Sequence, residues 1–118
     1  METLELSTVN RDGHVIVTVR GELNVLTEQQ FDAYLTDVCA TGSQVVVDLT
    51  ELTFLDTSGL GVLLRFWRDL GKDGGSLVLA GTRYSTARIL WTTGLDKRLP
   101  LADDVDQAVT LAGSRPPA

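Results

Sequence analysis

Cysteine and histidine occur once each in this 118-residue chain, as Cys39 and His14. An internal disulfide needs a second thiol, and a Cys/His metal cluster needs several ligands, so neither can be built. No cofactor is expected, and the cysteine usage fits a reducing compartment. No basic residue falls between Arg20 and Arg65, whereas Glu22, Glu28, Asp32, Asp37, Asp48, Glu51 and Asp56 all do. With a net charge of −6, the chain lacks the cationic surface that nucleic-acid binding draws on. A protein partner fits better. No apolar run approaches the roughly 20 residues of a membrane helix, and Met1–Glu5 carries acids where a signal peptide needs positive charge. A cytoplasmic protein that binds no membrane is the expectation. The length leaves no room for separate catalytic and regulatory domains, and 43% hydrophobic with 22% charged residues excludes wholesale disorder.

What is present reads as strands alternating with helices. Leu4–Val9 and His14–Arg20 alternate apolar and polar residues around the turn-forming Asn10-Arg11-Asp12-Gly13, which predicts a hairpin with His14 at a solvated strand start. Thr27 and Gln30 have capping-box spacing. Phe31, Tyr34, Leu35, Val38 and Cys39 follow at i, i+3, i+4, i+7 and i+8, one buried helical stripe ending at Gly42. On that stripe Cys39 reads as a small core residue, not a reactive thiol.

Gln44–Leu49 is a β-branched run without polar alternation, as in a strand covered on both faces. A connection through Thr50–Leu55 leads to Asp56-Thr57-Ser58-Gly59 and a second amphipathic helix marked by Leu60, Leu63, Leu64, Trp67 and Leu70. Ser76–Ala80 reads as a strand, about Ser85–Thr93 as a helix stopped by Gly94, and Leu99-Pro100-Leu101 as a short edge strand. Asp103 or Asp104 caps a last helix. The pattern predicts one α/β domain over residues 1–112. Its mixed sheet has four to five strands, antiparallel in the N-terminal hairpin and parallel elsewhere, with about four helices. Residues 113–118 are expected to form a disordered tail.

In such sheets, sites form where strand C-termini hand over to helix N-termini, and Asp56–Gly61 occupies such a junction. Helix starts offer unpaired amides and positive potential, which suits a phosphate on Ser58. The competing view is that Asp56, Thr57 and Ser58 are cap-forming residues and Gly59 a packing glycine. Other phosphate motifs fail: Gly59-Leu60-Gly61-Val62-Leu63-Leu64 lacks the third glycine of a dinucleotide loop. A serine-hydrolase reading fails on partners, because Asp56 stands where a nucleophile elbow needs glycine, His14 lies at the hairpin, and neither Lys72 nor Lys97 has a Ser-Lys spacing. The early acids read either as an acidic docking surface or as a solvated face with two structural aspartates.

Val45-Val46-Val47-Asp48-Leu49 leading to Phe54-Leu55-Asp56-Thr57-Ser58-Gly59-Leu60-Gly61, with Gly21-Glu22-Leu23 before the first helix and Ala87-Arg88-Ile89-Leu90 and Thr93-Gly94-Leu95-Asp96 around the third, resembles the STAS domain of bacterial anti-sigma factor antagonists. The resemblance covers nearly the whole chain. It implies a non-enzymatic switch that binds an anti-sigma factor with serine kinase activity and frees the sigma factor. Phosphorylation at the second hydroxyl residue of the motif, Ser58 here, ends binding, and a serine phosphatase reverses it. Thr57 is a second possible acceptor. Asn24 stands where the family usually has Asp. The residues assigned to partner contact are Glu22, Asn24, Asp56, Thr57, Ser58, Gly59, Leu60 and Gly61, with Leu60 as the exposed apolar contact. A monomer or weak dimer is expected. The alternative is a ligand-sensing or scaffolding domain in which Ser58 is never phosphorylated.

Overall fold

Asp12 and Gly13, both at positive φ (52° and 80°), make the two-residue turn that suits the twist of a hairpin. It joins β1 (Leu4–Arg11) to β2 (His14–Leu23) in antiparallel register, from Leu4 opposite Gly21 to Arg11 opposite His14. The computed structural model describes residues 4–40 and 44–113. After β2 come α1 (Glu28–Cys39), β3 (Gln44–Asp48), β4 (Leu52–Leu55), α2 (Thr57–Lys72), β5 (Ser76–Ala80), α3 (Arg88–Thr92), a 3-10 turn (Leu95–Lys97), β6 (Leu101–Ala102) and α4 (Val105–Gly113).

Among the described residues the sheet has six strands, not the four or five expected. Its main path runs β1-β2-β3-β5-β6, antiparallel only at the hairpin. The extra strand is β4, read from sequence as part of a connection. β2 is ten residues long, and β3 pairs only with its Val15–Thr18 portion. The rest of that edge, Gly21–Leu23, is filled by Leu52–Leu55 in parallel, across a bulge at Gly21/Glu22. Four residues with a buried-exposed-exposed-buried pattern carry no strand periodicity to detect.

Alternation along the strands creates two cores. Val15, Val17, Val19, Val45, Val47, Leu77 and Leu79 face the side covered by α1, α2 and α3, together with Phe31, Leu35, Leu63 and Leu90. Ile16, Val46, Val78, Ala80 and Ala102 face the other side, packed against Ala108 and Val109 of α4. β3 and β5 are therefore buried on both faces, which explains their unbroken apolar runs.

Several local expectations need correction. His14 is buried, 7% exposed, although it starts β2 in the last pair of the hairpin, opposite Arg11; its Nδ1 lies 2.9 Å from the Asp12 carbonyl oxygen. The capping box at Thr27 does not form: the Thr27 hydroxyl donates 2.8 Å to the Glu22 carbonyl, and Gln30 Nε2 donates 3.0 Å to the Leu4 carbonyl. Carbonyls five and 26 residues back take the side-chain donors that the capping box would have turned to its own amides. A related reciprocal pair does close α4, where Asp104 Oδ1 accepts from the Gln107 amide at 2.8 Å and Gln107 Oε1 accepts from the Asp103 amide at 2.6 Å. Helix α3 starts three residues later than expected, and the edge strand is Leu101–Ala102, just past Pro100. Tyr34 and Cys39 are half-buried where full burial was expected. Partial burial still holds the Cys39 thiol above its ordinary pKa. Helix α4 runs through Gly113, and the rest of the expected tail, 114–118, lies outside the described residues, as does Gly42.

Candidate functional site

The C-terminal ends of β2 and β4 lie side by side, with Glu22 opposite Phe54 and Leu23 opposite Leu55. From them the chain enters α1 and α2. Asn24 organises the first entry: its Oδ1 accepts from the amides of Leu26 (2.9 Å) and Thr27 (3.2 Å), and its own amide donates to the Thr27 hydroxyl (3.0 Å). This is an Asx turn, and its acceptor oxygen is one that Asp would also supply. Val25 and Leu26, at the crest of the turn, are 63% and 75% exposed, and Phe54 is 47% exposed. Sequence reading passed over these three, since none belongs to a periodic pattern; two apolar residues inside a polar turn were the available signal.

Asp56 organises the second entry. In extended conformation it caps α2, its Oδ1 accepting from the amides of Ser58 (2.8 Å) and Gly59 (3.2 Å). Its own amide donates to the Leu23 carbonyl at 3.0 Å, pinning the helix start to the end of β2. The expectation that unpaired amides await a phosphate on Ser58 is thus corrected. The amides of Asp56, Ser58, Gly59 and Leu60 are all engaged, and a carboxylate already sits at the positive end of the helix. Asp48 is equally structural, its Oδ1 accepting from the Thr50 amide and hydroxyl at 3.1 and 2.6 Å.

Gly59 is there for space. A Cβ at this position would lie 2.7 Å from Leu23 Cβ and 2.8 Å from Leu55 Cδ1. Leu60, the expected exposed contact, is only 4% exposed and belongs to the main core, because the helix register that turns Ser58 outward turns Leu60 toward the sheet. Thr57 and Gly61 are exposed, Ser58 and Asp56 half-buried, and Glu22 half-buried.

Ser58 opens onto a groove of about 510 Å³ between α1 and α2, lined by Glu28, Gln29, Asp32 and Ala33 on one side and Thr57, Ser58, Gly61, Val62 and Arg65 on the other. The Arg65 guanidinium bridges it by an ion pair with Asp32. The sequence placed Arg65 in a later, basic half; folding sets it among the early acids. At 47% and 34% side-chain exposure this pair contributes at most about 0.2–1 kcal/mol. Among the described residues, no lysine or histidine lines the groove, and His14 is held at the hairpin turn by its contact with Asp12.

The family pattern described as STAS domain matches residues 5–108. The chain belongs to the STAS domain family. This STAS domain is 28% identical, over 109 residues, to an anti-sigma F factor antagonist of Paenibacillus polymyxa, covering 91% of this chain and 93% of that one. A crystal structure of an anti-sigma factor antagonist from Mycobacterium paratuberculosis superposes with a TM-score of 0.86 at 28% identity, over 95% and 96% of the two chains. The Bacillus cell fate determinant SpoIIAA, in its phosphorylated form, shares the fold with a TM-score of 0.68 at 21% identity, over 92% and 98%. Among the described residues of the STAS domain, no helix is long and apolar enough to cross a membrane.

Two substitutions separate the buried from the accessible part of this site. Gly59→Ala must push α2 off Leu23 and should lower stability by about 1–3 kcal/mol, the range for overpacking. Leu60→Ala should cost about 2–5 kcal/mol as a core truncation, with no loss of partner affinity beyond the unfolded fraction. Denaturant titration beside binding measured on the folded protein checks both.

Proposed function

We propose that this STAS domain is an anti-sigma factor antagonist: it binds an anti-sigma factor that is also a serine kinase, frees the sigma factor, and is switched off by phosphorylation of Ser58. The observation that carries this reading is the placement of Ser58 on the first turn of α2, lining the open groove, with Val25, Leu26 and Phe54 exposed on the segments that lead into α1 and α2. The relatives' names support the antagonist role, and the phosphorylated form of a protein sharing the fold supports the modification. In the forward step the γ-phosphoryl group of ATP passes to Ser58 Oγ, which gives up its proton, and ADP leaves. A serine phosphatase later transfers the group to water.

Electrostatics supplies the switch. A phosphate adds about −1.5 to −2 charges to a groove already lined by Glu28 and Asp32, with Asp56 capping the same helix. Weakening a complex a hundredfold takes about 2.7 kcal/mol, and two like unit charges 4 Å apart repel by about 4 kcal/mol at an effective dielectric of 20. Val25, Leu26 and Phe54 supply apolar contact area and the flanking acids steer basic groups of the partner, while Ser58 itself docks against a neutral or acidic partner group that a phosphate would bury unpaired or repel. Within this reading Glu22, Asn24, Asp56 and Gly59 shape the docking face, and Thr57, Ser58 and Gly61 present it; Leu60 supports it from below. The domain performs no turnover of its own, a reading supported by the absence of lysine or histidine from the groove facing Ser58.

Incubating the protein with a candidate anti-sigma factor kinase and ATP, then locating phosphate by mass spectrometry, should find it on Ser58. Ser58→Asp should weaken binding at least tenfold while costing no more than about 1 kcal/mol of stability, and Ser58→Ala should bind irrespective of ATP. Equal affinity for phosphorylated and unphosphorylated protein at matched ionic strength would refute the switch and favour a scaffold. Affinity of the unmodified protein should fall as salt is added.

Gly61 gives an independent check. It is exposed within α2, and a Cβ there meets nothing within 4 Å, so Gly61→Ala should raise stability by up to about 1 kcal/mol. If this stripe touches the partner, the same methyl group should weaken the complex. Thermal melts set beside partner titrations show whether stability and affinity move in opposite directions.

A further inference from the structure

Ser58, Gly61 and Arg65 form one stripe along α2. Seven residues are about 20° short of two full turns and span about 10.5 Å, so Ser58 and Arg65 share a face, and long helical side chains lean toward the N-terminus. The direction of lean carries the Arg65 guanidinium toward Ser58. Gly61 lies between them and presents no side chain, with open space where a Cβ would be. Among the described residues lining the groove, Glu28 and Asp32 are acidic and Arg65 is the sole cation, engaged with Asp32. Both members of that pair are partly solvated, so the bond is easily exchanged. A phosphate on Ser58 would be the strongest anion in the groove, and guanidinium binds phosphate through two parallel hydrogen bonds where geometry allows. The Ser58 and Gly59 amides at the start of α2 do not compete for it, since Asp56 occupies both.

We propose that Arg65 is the switching side chain of this site: it clamps α1 to α2 through Asp32 while Ser58 is free, and turns to the phosphate when Ser58 carries one, leaving Asp32 without its cation at the mouth of the groove. Phosphorylation then alters the docking face twice, by adding the phosphate and by unmasking a carboxylate on the neighbouring helix. This inference rests on the reading of Ser58 as the modified residue.

The test uses full-length protein with phosphoserine inserted at position 58 during translation, so that it does not depend on finding the kinase. The second ionisation of the phosphate is followed by phosphorus NMR against pH. A cation beside the group favours the dianion and lowers its pKa. Arg65→Gln should therefore raise that pKa by about one unit, whereas Arg68→Gln, which removes an exposed arginine of α2 outside the groove lining, should move it far less. The Arg65 Nε–H resonance should also shift between unmodified and phosphorylated protein. A phosphate pKa indifferent to Arg65→Gln, or an equal response to Arg68→Gln, would overturn the proposal. Should no kinase modify Ser58 while the inserted phosphoserine still responds to Arg65→Gln, the switch reading falls and the Arg65 assignment stands.

Discussion

The start of α2 lies against the end of β2 at backbone distance, and most of what this protein presents to a partner depends on that contact. Gly59 has no Cβ to collide with Leu23, and the Asp56 amide is bonded to the Leu23 carbonyl. Two constraints thus set the helix's height and its rotation. With the rotation set, Leu60 and Leu63 enter the core while Thr57, Ser58, Gly61 and Arg65 face outward. A larger residue at position 59 would displace the whole outward row, although it touches none of it. The short strand β4 is part of the same device, since it carries the chain to Asp56 along the unfilled edge of β2.

Packing and regulation are therefore divided between two sides of one helix. The inward side is apolar and closely packed, and its changes are felt as stability. The outward side carries Thr57, Ser58 and an engaged Arg65, which face Glu28 and Asp32 of α1 across the groove, where single ion pairs contribute little to folding. Charge added to such a surface alters what docks there more than it alters the fold. An exposed glycine in the same helix is a cost to the folded state with no compensating contact inside the molecule, and it makes sense on a face that a partner or a neighbouring side chain must cross.

The legible parts of the fold were those with a strong period or a forced turn. The hairpin, the doubly buried β3 and β5, the amphipathic α2 and the cap at Asp104 are all local consequences of side-chain chemistry. β4 was not legible, because four residues with no alternation become a strand only where a longer neighbour leaves an edge open. Thr27 and Gln30 had the right spacing for a mutual cap, yet Thr27 donates to the Glu22 carbonyl five residues back and Gln30 to the Leu4 carbonyl 26 residues away. His14 does start its strand beside the turn, yet it is buried there, because burial depends on what packs over a position and not on its distance from a turn.

Of the site, the sequence by itself determined the motif: the hydroxyl residues after Asp56, the glycines at 59 and 61, the family they belong to, and the acidic character of the first half. Those are properties of residue type and spacing. Only the tertiary structure decided which atoms are free. It showed the Ser58 and Gly59 amides already taken by Asp56, buried Leu60, exposed Val25, Leu26 and Phe54, and brought Arg65 to Asp32 across 33 residues of sequence. The reason is that exposure and ion pairing depend on where two helices cross, and that crossing is set by packing between side chains far apart in the chain.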